Sequence, residues 1–197
     1  MRTRDKMQQG LLYTDFDDGL PEERAHAKEV IYDYNLTRPS EENKRTLLLM
    51  DLLGSVGQHC WIEPPLHMAY GNRTHIGDNF YANFNLTIVD DVEVYIGDDV
   101  MIAPNVTITT TGHPVDPDLR KTLQQFSLPV NIKNGVWLGA NVVVLPGITI
   151  GENSVIGAGS VVTRDISANV VAVGNPCRVL REIGERDREF YYKSWRV

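Results

Sequence analysis

The sequence predicts a mainly β fold in which the chain winds into a coil of short parallel strands. From residue 132 onward an aliphatic side chain returns every six positions, and a second series follows four positions behind it. The two series are Ile132, Leu138, Val144, Ile150, Ile156 and Val162, then Val136, Val142, Ile148, Ser154, Ser160 and Ile166. A period of six fits neither an α-helix nor a simple alternating strand. Three such strands would complete one turn of about eighteen residues.

The same spacing occurs earlier in the chain. Ile96, Ile102 and Ile108 recur at six-residue intervals, and a rougher start lies at 76–80. In a coil of this kind every sixth side chain points into a narrow interior, and glycine or asparagine occupies the corners. Each turn covers the apolar face of its neighbour, so stability comes from nearest-neighbour contacts. We therefore expect the coil to span residues 59–180.

Three segments fall outside the repeat. Residues 1–58 carry helical signals, with Pro21 early in one helix and Ser40 as the expected N-cap of the next. Residues 109–131 interrupt the coil with several prolines and no apolar periodicity, and an insertion of that length is usually functional. The polar stretch 181–197 ends in aromatic residues. We expect it to be a closing helix or a tail that docks on the coil.

Composition limits the classes of function. The net charge of −7 argues against general binding to nucleic-acid phosphates. No apolar run approaches the length of a membrane span, and no apolar segment follows the charged N-terminus, so neither a span nor a signal peptide is predicted. Cys60 and Cys177 share no motif spacing. A cytoplasmic protein with two free thiols is the simplest interpretation.

One histidine, His113, sits directly at a break in the coil, within the turn Thr111-Gly112-His113-Pro114. Acyl transfer from a thioester to an alcohol needs a base for the hydroxyl proton and stabilisation of the developing oxyanion. Imidazole suits the first task because it titrates near neutral pH. No serine or cysteine lies in a recognisable nucleophile motif, which favours direct transfer over a covalent acyl-enzyme.

A set of motifs resembles the galactoside and maltose O-acetyltransferases, which are hexapeptide-repeat enzymes. The motifs are Tyr81-Ala82-Asn83-Phe84-Asn85, Asp90-Asp91, Thr111-Gly112-His113-Pro114, Val136-Trp137-Leu138-Gly139 and Gly174-Asn175-Pro176-Cys177-Arg178. The resemblance runs nearly end to end and includes Gly10–Asp15 and the N-terminal helical segment. It implies a left-handed parallel β-helix, a homotrimer, acetyl-CoA as co-substrate without a metal, and a sugar hydroxyl as acceptor.

The resemblance also implies roles for individual residues. His113 matches the general base, and Asn83 matches a residue that contacts the acceptor and steadies the transition state. Asp15, Tyr81 and Asp91 match acceptor-binding positions, and carboxylates and amides are common partners of sugar hydroxyls. From the residues alone, Asp91 could equally form a corner turn, and Asp15 could be a helix cap or a solvated loop acid.

Two departures from the family pattern bear on acceptor preference. Where galactoside acetyltransferases carry a serine that contacts the sugar, this chain has Ala69. The loop around Gln124, Gln125 and Phe126 also differs. We expect catalysis to survive both changes, whereas the identity of the preferred sugar does not follow from the motifs.

The cofactor side follows from the same resemblance. The pantetheine arm of coenzyme A would lie along the coil, bonded to backbone, where small side chains are required. The positions matched to cofactor binding are Trp137, Ala140, Ala158, Thr163, Arg164, Arg178 and Arg181. The last two would lie near the nucleotide phosphates, where charged donors bind more strongly than neutral ones. In the implied trimer, His113 of one subunit would face Trp137 and Ala140 of a neighbour.

Three other interpretations were weighed. A zinc enzyme on the same coil would need three converging histidines, and no pair of the five histidines has the required close spacing. A non-catalytic scaffold would not need the Gly-His-Pro turn or the arginines. An acetyltransferase for an amine, an antibiotic or another small hydroxyl compound would use the same chemistry, and the sequence does not separate it from a sugar acetyltransferase.

Overall fold

The computed structural model of the protein describes residues 1–197 and combines a helical N-terminal segment with a long coil of strands. The helices are α1 Thr3–Gln8, α2 Leu20–Asn35, α3 Glu42–Leu52, α4 Pro117–Arg120 and α5 Arg186–Glu189. The strands are β1 Ser55–Val56, β2 Trp61–Ile62, β3 Leu66–Met68, β4 Thr74–Ile76, β5 Tyr81–Ala82, β6 Leu86–Val89, β7 Val94–Ile96, β8 Met101–Ile102, β9 Thr107–Thr109, β10 Thr111–Gly112, β11 Phe126–Ser127, β12 Val130–Ile132, β13 Trp137–Leu138, β14 Val143–Val144, β15 Thr149–Ile150, β16 Val155–Ile156, β17 Val161–Val162, β18 Val170–Val173, β19 Arg178–Glu182, β20 Phe190–Tyr192 and β21 Trp195–Arg196.

Three parallel sheets form the three faces of the coil. Face A contains β2, β5, β8, β13, β16 and β18, face B contains β3, β6, β9, β14 and β17, and face C contains β1, β4, β7, β12 and β15. The chain passes from face C to face A to face B and back, so each turn adds one strand to each face. We name the corners AB, BC and CA after the faces that they join. This architecture confirms the predicted coil of short strands.

The interior of the coil is filled by the two series that the six-residue period identified. Leu138 and Ile150 are 0 % exposed, and burial of such a side chain stabilises the fold by about 1.5–3 kcal/mol. Ser154 and Ser160 occupy interior positions in the second series and are also buried. The Ser154 hydroxyl donates to the Ser167 carbonyl over 2.8 Å, which satisfies a polar group inside an apolar core.

Asparagines occupy the tight corners, as expected. Six of them hold a left-handed backbone with φ between 57° and 62°: Asn79, Asn85, Asn105, Asn141, Asn153 and Asn169. A side-chain amide tolerates this conformation better than a branched residue does. The amides also bond from one turn of the coil to the next, as where Asn153 donates to the Asn169 side chain over 3.0 Å.

The number of residues per turn varies along the coil. Trp137 pairs with Val155, an interval of 18 residues, as the repeat predicts. Tyr81 pairs with Met101, an interval of 20 residues. The prediction of about eighteen residues per turn is therefore correct for the later turns and wrong for the earlier ones.

The additional residues lie at the BC corner. Ile88 on face B and Ile96 on face C are interior residues on either side of this corner. They are eight positions apart in the sequence, whereas the corresponding residues at the other corners are six positions apart. In the next turn the same corner carries the inserted loop, which separates Ile108 from Ile132. The BC corner is thus the place where successive turns contain more residues than the six-residue repeat requires. The inserted loop is the longest of these additions.

Helices α2 and α3 cover the first turns of the coil. The buried Tyr34 hydroxyl donates to the Ile62 carbonyl over 2.6 Å. The Asn35 side chain accepts from the Leu66 amide and donates to the Leu66 carbonyl, over 2.8 and 2.9 Å. These bonds satisfy backbone groups of the early strands, which lie near an open end of the β-structure.

Two sequence predictions need correction here. Helix α3 begins at Glu42 with Glu41 as its N-cap, rather than at Ser40, because the Glu41 carboxylate accepts from the Arg38 amide and closes the preceding turn. The C-terminal stretch is not a closing helix. It begins with the end of β19, which pairs with β18 of the coil, and continues with the one-turn helix α5 and an antiparallel hairpin of β20 and β21. No helix in the structure has both the length and the apolarity to cross a membrane.

Candidate active site

The extended BC corner brings the predicted acceptor residue Asp91 into a buried polar network. Its Oδ1 atom accepts from Gln125 Nε2 over 2.9 Å and lies 3.4 Å from the Tyr13 hydroxyl. The Tyr13 hydroxyl in turn lies 2.6 Å from Ser127 Oγ. Burial raises the pKa of Asp91, and the nearby Asp15 carboxylate raises it further. Asp91 is therefore a buried acceptor held by donors from the cap and the inserted loop.

Asp15 lies beside this network and is neutralised by an arginine. Its carboxylate forms an ion pair with Arg24, in the second turn of α2. The Arg24 guanidinium also donates to the Tyr70 hydroxyl over 2.9 Å. Burial raises the pKa of Tyr70 to about 12, so that hydroxyl stays protonated. Ala69 precedes Tyr70 and packs against the small apolar cluster beneath the corner.

His113 follows β10 directly and is positioned by the inserted loop. Its Nδ1 donates to the Gln124 carbonyl over 3.0 Å. A carbonyl can only accept, so the proton lies on Nδ1 and the lone pair lies on Nε2. Strands β10 and β11 pair Gly112 with Phe126, and a Cβ on Gly112 would meet the Phe126 ring at 2.8 Å. A larger residue at position 112 would therefore require the Phe126 ring to move.

Asn83 and Tyr81 lie elsewhere on the coil. Asn83 follows β5 at the AB corner, where its Oδ1 accepts from the Phe84 amide over 2.8 Å. Tyr81 points outward from face A and is partly exposed. The strands of face B separate this corner from the BC corner that carries His113. Within one chain the structure therefore does not bring Asn83 and His113 together.

The predicted cofactor residues are divided in the same way. Ala140 and Ala158 are stacked at the AB corner, where the Gly159 amide donates to the Ala140 carbonyl over 2.8 Å. Trp137 lies on the adjoining face A with 47 % of its surface exposed. Thr163 and Arg164, in contrast, follow β17 at the BC corner.

The two predicted cofactor-binding arginines near the C-terminus, Arg178 and Arg181, both lie on β19. Arg178 donates to the Cys177 carbonyl over 2.7 Å. Arg181 forms a two-pronged ion pair with Asp187, over 2.7 and 2.8 Å. Through this hydrogen bond the guanidinium lowers the pKa of Asp187 to about 2. Arg181 is thus already neutralised within the chain, whereas the Arg178 side chain bonds only to a backbone carbonyl.

Sequence reasoning missed Tyr13 and Arg24 as members of the site, and noted Gln125 only as a departure from the family. Arg24 lies in a helix with no signal beyond its position nine residues after Asp15. Tyr13 is 1 % exposed and bonds to Gln125 backbone atoms in both directions. The side-chain partners of Tyr13 lie 78 to 114 residues away along the chain, so no local spacing points to them. No group of three or more metal-ligating side chains is present.

The fold and these two corners define the class: a hexapeptide-repeat β-helix acyltransferase. Residues 6–57 match the family model described as maltose acetyltransferase hexapeptide capping motif. Residues 129–164 match the model described as bacterial transferase hexapeptide, six repeats.

Individual relatives narrow the class. The chain is 53% identical to the galactoside O-acetyltransferase of Escherichia coli K12 over 197 residues, which covers 100% of this chain and 97% of the relative. It superposes on a galactoside acetyltransferase in complex with coenzyme A with a TM-score of 0.99, covering 100% of this chain and 98% of the other. A maltose O-acetyltransferase from Clostridium difficile 630 is 45% identical, with a TM-score of 0.91 and coverage of 94% and 99%. The chain belongs to the galactoside and maltose O-acetyltransferase family, and its coil is a left-handed parallel β-helix.

The BC corner also holds a carboxylic acid whose ionisation should affect stability. Asp90 is fully buried, with its two oxygens accepting from the Tyr70 amide (2.9 Å) and the Thr74 hydroxyl (3.0 Å). Burial raises the pKa of Asp90 from 3.8 to about 6. The folded state therefore binds more protons than the unfolded state between these two pH values, and stability falls as pH rises through this window.

We expect wild-type protein to lose stability relative to Asp90→Asn between pH 4 and pH 7, because asparagine has the same shape and does not ionise. The change in the difference should be about 3 kcal/mol at most, since each pKa unit corresponds to about 1.4 kcal/mol. Thermal unfolding of both proteins at one protein concentration across this pH range measures it. A difference in Tm that stays constant with pH would contradict the prediction.

Proposed function

We propose that this protein transfers an acetyl group from acetyl-CoA to a sugar hydroxyl, with His113 as the general base. The observation that carries this proposal is the bond from His113 Nδ1 to the Gln124 carbonyl. This bond selects the tautomer whose Nε2 can accept a proton. The histidine lies on the inserted loop, beside the buried groups that we propose to bind the sugar. Membership in the O-acetyltransferase family supports the reaction class.

The proposed step is a direct transfer. The acceptor hydroxyl oxygen attacks the thioester carbonyl carbon while His113 Nε2 takes the hydroxyl proton. The tetrahedral intermediate then collapses, the carbon–sulfur bond breaks, and the imidazolium returns the proton to the departing thiolate of coenzyme A. No residue carries the acetyl group, so both substrates must be bound together. Asn83 is proposed to contact the acceptor and steady the oxyanion.

The acceptor pocket is proposed to lie at the BC corner. Asp15 and Asp91 provide carboxylate acceptors for sugar hydroxyls, and Tyr81 with Asn83 would complete the pocket from another subunit. Arg24 holds Asp15 in place and offsets part of the negative charge at this buried corner. Ala69 offers no hydrogen bond to the sugar, so fewer groups select among related sugars.

The coenzyme is proposed to lie along the AB corner. The stacked Ala140 and Ala158 leave the backbone accessible to a pantetheine arm, and the exposed Trp137 would form the wall of the groove. Arg178 is the better candidate for a phosphate contact, because Arg181 is paired with Asp187. Thr163 and Arg164, on the BC corner, would reach the coenzyme from the opposite side of a subunit boundary. A cytoplasmic location stays a prediction.

A homotrimer is proposed because one chain holds only part of the site. His113 and Asn83 lie on the two corners that border face B. If face B turns toward a three-fold axis, the AB corner of one subunit meets the BC corner of its neighbour. Each of three identical boundaries would then contain a histidine from one chain and an asparagine with the alanine groove from the next.

The first test concerns the base. His113→Ala should reduce kcat by about 10²–10⁴, the usual effect of losing a positioned general base, while acetyl-CoA binding measured by calorimetry stays unchanged. In wild type the rate should rise with pH as the general base loses its proton. This limb should be absent from the variant. A trapped acetyl-enzyme, or a pH limb that survives the substitution, would refute the mechanism.

The second test concerns the shared site. His113→Ala and Asn83→Ala subunits, each nearly inactive alone, should regain activity when co-refolded in equal amounts. Random assortment leaves both residues intact at about one boundary in four, so about a quarter of wild-type activity is expected. A mixture of His113→Ala with His113→Asn is the matched control, because it cannot create an intact boundary. If the first mixture is as inactive as the control, the site is contained in one chain.

The third test concerns the coenzyme. Arg178→Ala should raise KM for acetyl-CoA about tenfold and change kcat little, because a contact to a distant phosphate is largely uniform binding. The effect should disappear with a short acetyl thioester that lacks the phosphates. Arg38→Ala, an exposed arginine between α2 and α3, serves as the control. Equal losses with both thioesters would show that Arg178 acts on something other than the phosphates.

A further inference from the structure

One oxygen of the Asp91 carboxylate is already engaged inside the protein. Gln125 Nε2 donates one hydrogen to Asp91 Oδ1 over 2.9 Å and the other to the Tyr13 hydroxyl over 3.0 Å. Both hydrogens of this amide are therefore in use. Asp91 is 5 %, Gln125 8 % and Tyr13 1 % exposed, so water does not readily replace any partner of this group.

The Gln125 side chain is held in this orientation by its surroundings. Tyr13 and Gln125 exchange both backbone hydrogen bonds, over 3.0 and 2.9 Å. The Tyr13 hydroxyl also bonds to Ser127 Oγ over 2.6 Å, which in turn lies 2.9 Å from Thr111 Oγ. Rotation of the amide would remove the Gln125 donor from both a buried carboxylate oxygen and a buried hydroxyl, which is costly in a low-dielectric site.

We propose that Gln125 is a specificity-determining residue of the acceptor site. By donating to Asp91 Oδ1, which the Tyr13 hydroxyl also approaches at 3.4 Å, Gln125 reduces the number of hydroxyls from which the carboxylate can accept. The site therefore favours contact with a single acceptor hydroxyl over two neighbouring ones. A carboxylate with both oxygens available can accept from two adjacent hydroxyls and so tell apart sugars that differ at either. This inference rests on the proposed function, because it takes Asp91 as an acceptor ligand.

The position of Gln125 in the sequence agrees with this role. Of the three neighbouring loop residues Gln124, Gln125 and Phe126, it is Gln125 whose side chain reaches Asp91. Gln124 is its neighbour in the same loop, but it contacts His113 through its backbone carbonyl. The two adjacent glutamines thus provide a matched pair, one bonded to the acceptor carboxylate through its side chain and one not.

The experiment measures kcat/KM for methyl galactoside and its monodeoxy analogues, with acetyl-CoA saturating and at pH 8. For wild type and Gln124→Ala, we expect kcat/KM to fall when the one hydroxyl that contacts Asp91 is removed, and to change little when its neighbour is removed. For Gln125→Ala, a second, adjacent hydroxyl should also contact Asp91. Its removal should then lower kcat/KM about tenfold, which is the scale of a hydrogen bond to a charged group. KM for acetyl-CoA should stay unchanged. Gln125→Met, which removes the donor at similar volume, repeats the test should the alanine variant unfold.

The outcomes separate the inference from the function on which it rests. If wild type acetylates none of these sugars, the proposed function fails. If wild type acetylates them and both Gln125 variants keep the wild-type pattern across the deoxy series, Gln125 does not determine specificity. A uniform loss of kcat for every acceptor would also overturn the inference, because it would show that Gln125 only holds the loop that carries His113.

Discussion

The rest of the structure depends on the closure of a narrow coil around stacked aliphatic side chains. Each turn places interior residues on each face, and most of these residues are valine, leucine or isoleucine. The faces are short and flat because their strands contain two to four residues in most turns. A polar functional group cannot enter such a core without losing its hydration. Chemistry is therefore confined to the corners, and the chain can add residues only there.

At the BC corner the chain adds residues and places polar groups outside the apolar interior of the coil. Its additional residues include Asp90 and Asp91, and the inserted loop carries His113 from the same corner one turn later. The cap completes the arrangement, because Tyr13 lies under the loop and Arg24 extends from α2 toward Asp15. Three segments far apart in sequence thus meet at one extension of the coil. The polar groups remain satisfied because each buried carboxylate has a donor from another segment.

The sequence was sufficient for the coil and insufficient for the partners of the candidate site, and the role of His113 stays a prediction. The six-residue period of interior positions such as Leu138 and Ile150 is a local property, so it predicts which side chains are buried. The twenty-residue turns were missed because their two additional residues fall where the pattern was not yet established. Tyr13 and Gln125 are joined across the fold, and neither residue type nor spacing encodes such a pairing. Helix α3 starts later than Ser40 suggested because a glutamate closes the turn before it.

The division of the site between two corners has a consequence for how activity depends on assembly. Under the proposed mechanism, a monomer would hold His113 with its Gln124 partner intact and would lack the proposed oxyanion donor Asn83 and the proposed coenzyme groove beside it. The outward row on face A, which includes Trp61, Tyr81, Met101 and Trp137 in register, would be left in water next to that incomplete site. Apolar surface of this kind favours association. In the proposed trimer the AB corner of one chain meets the BC corner of another, so dissociation should abolish catalysis before the coil unfolds.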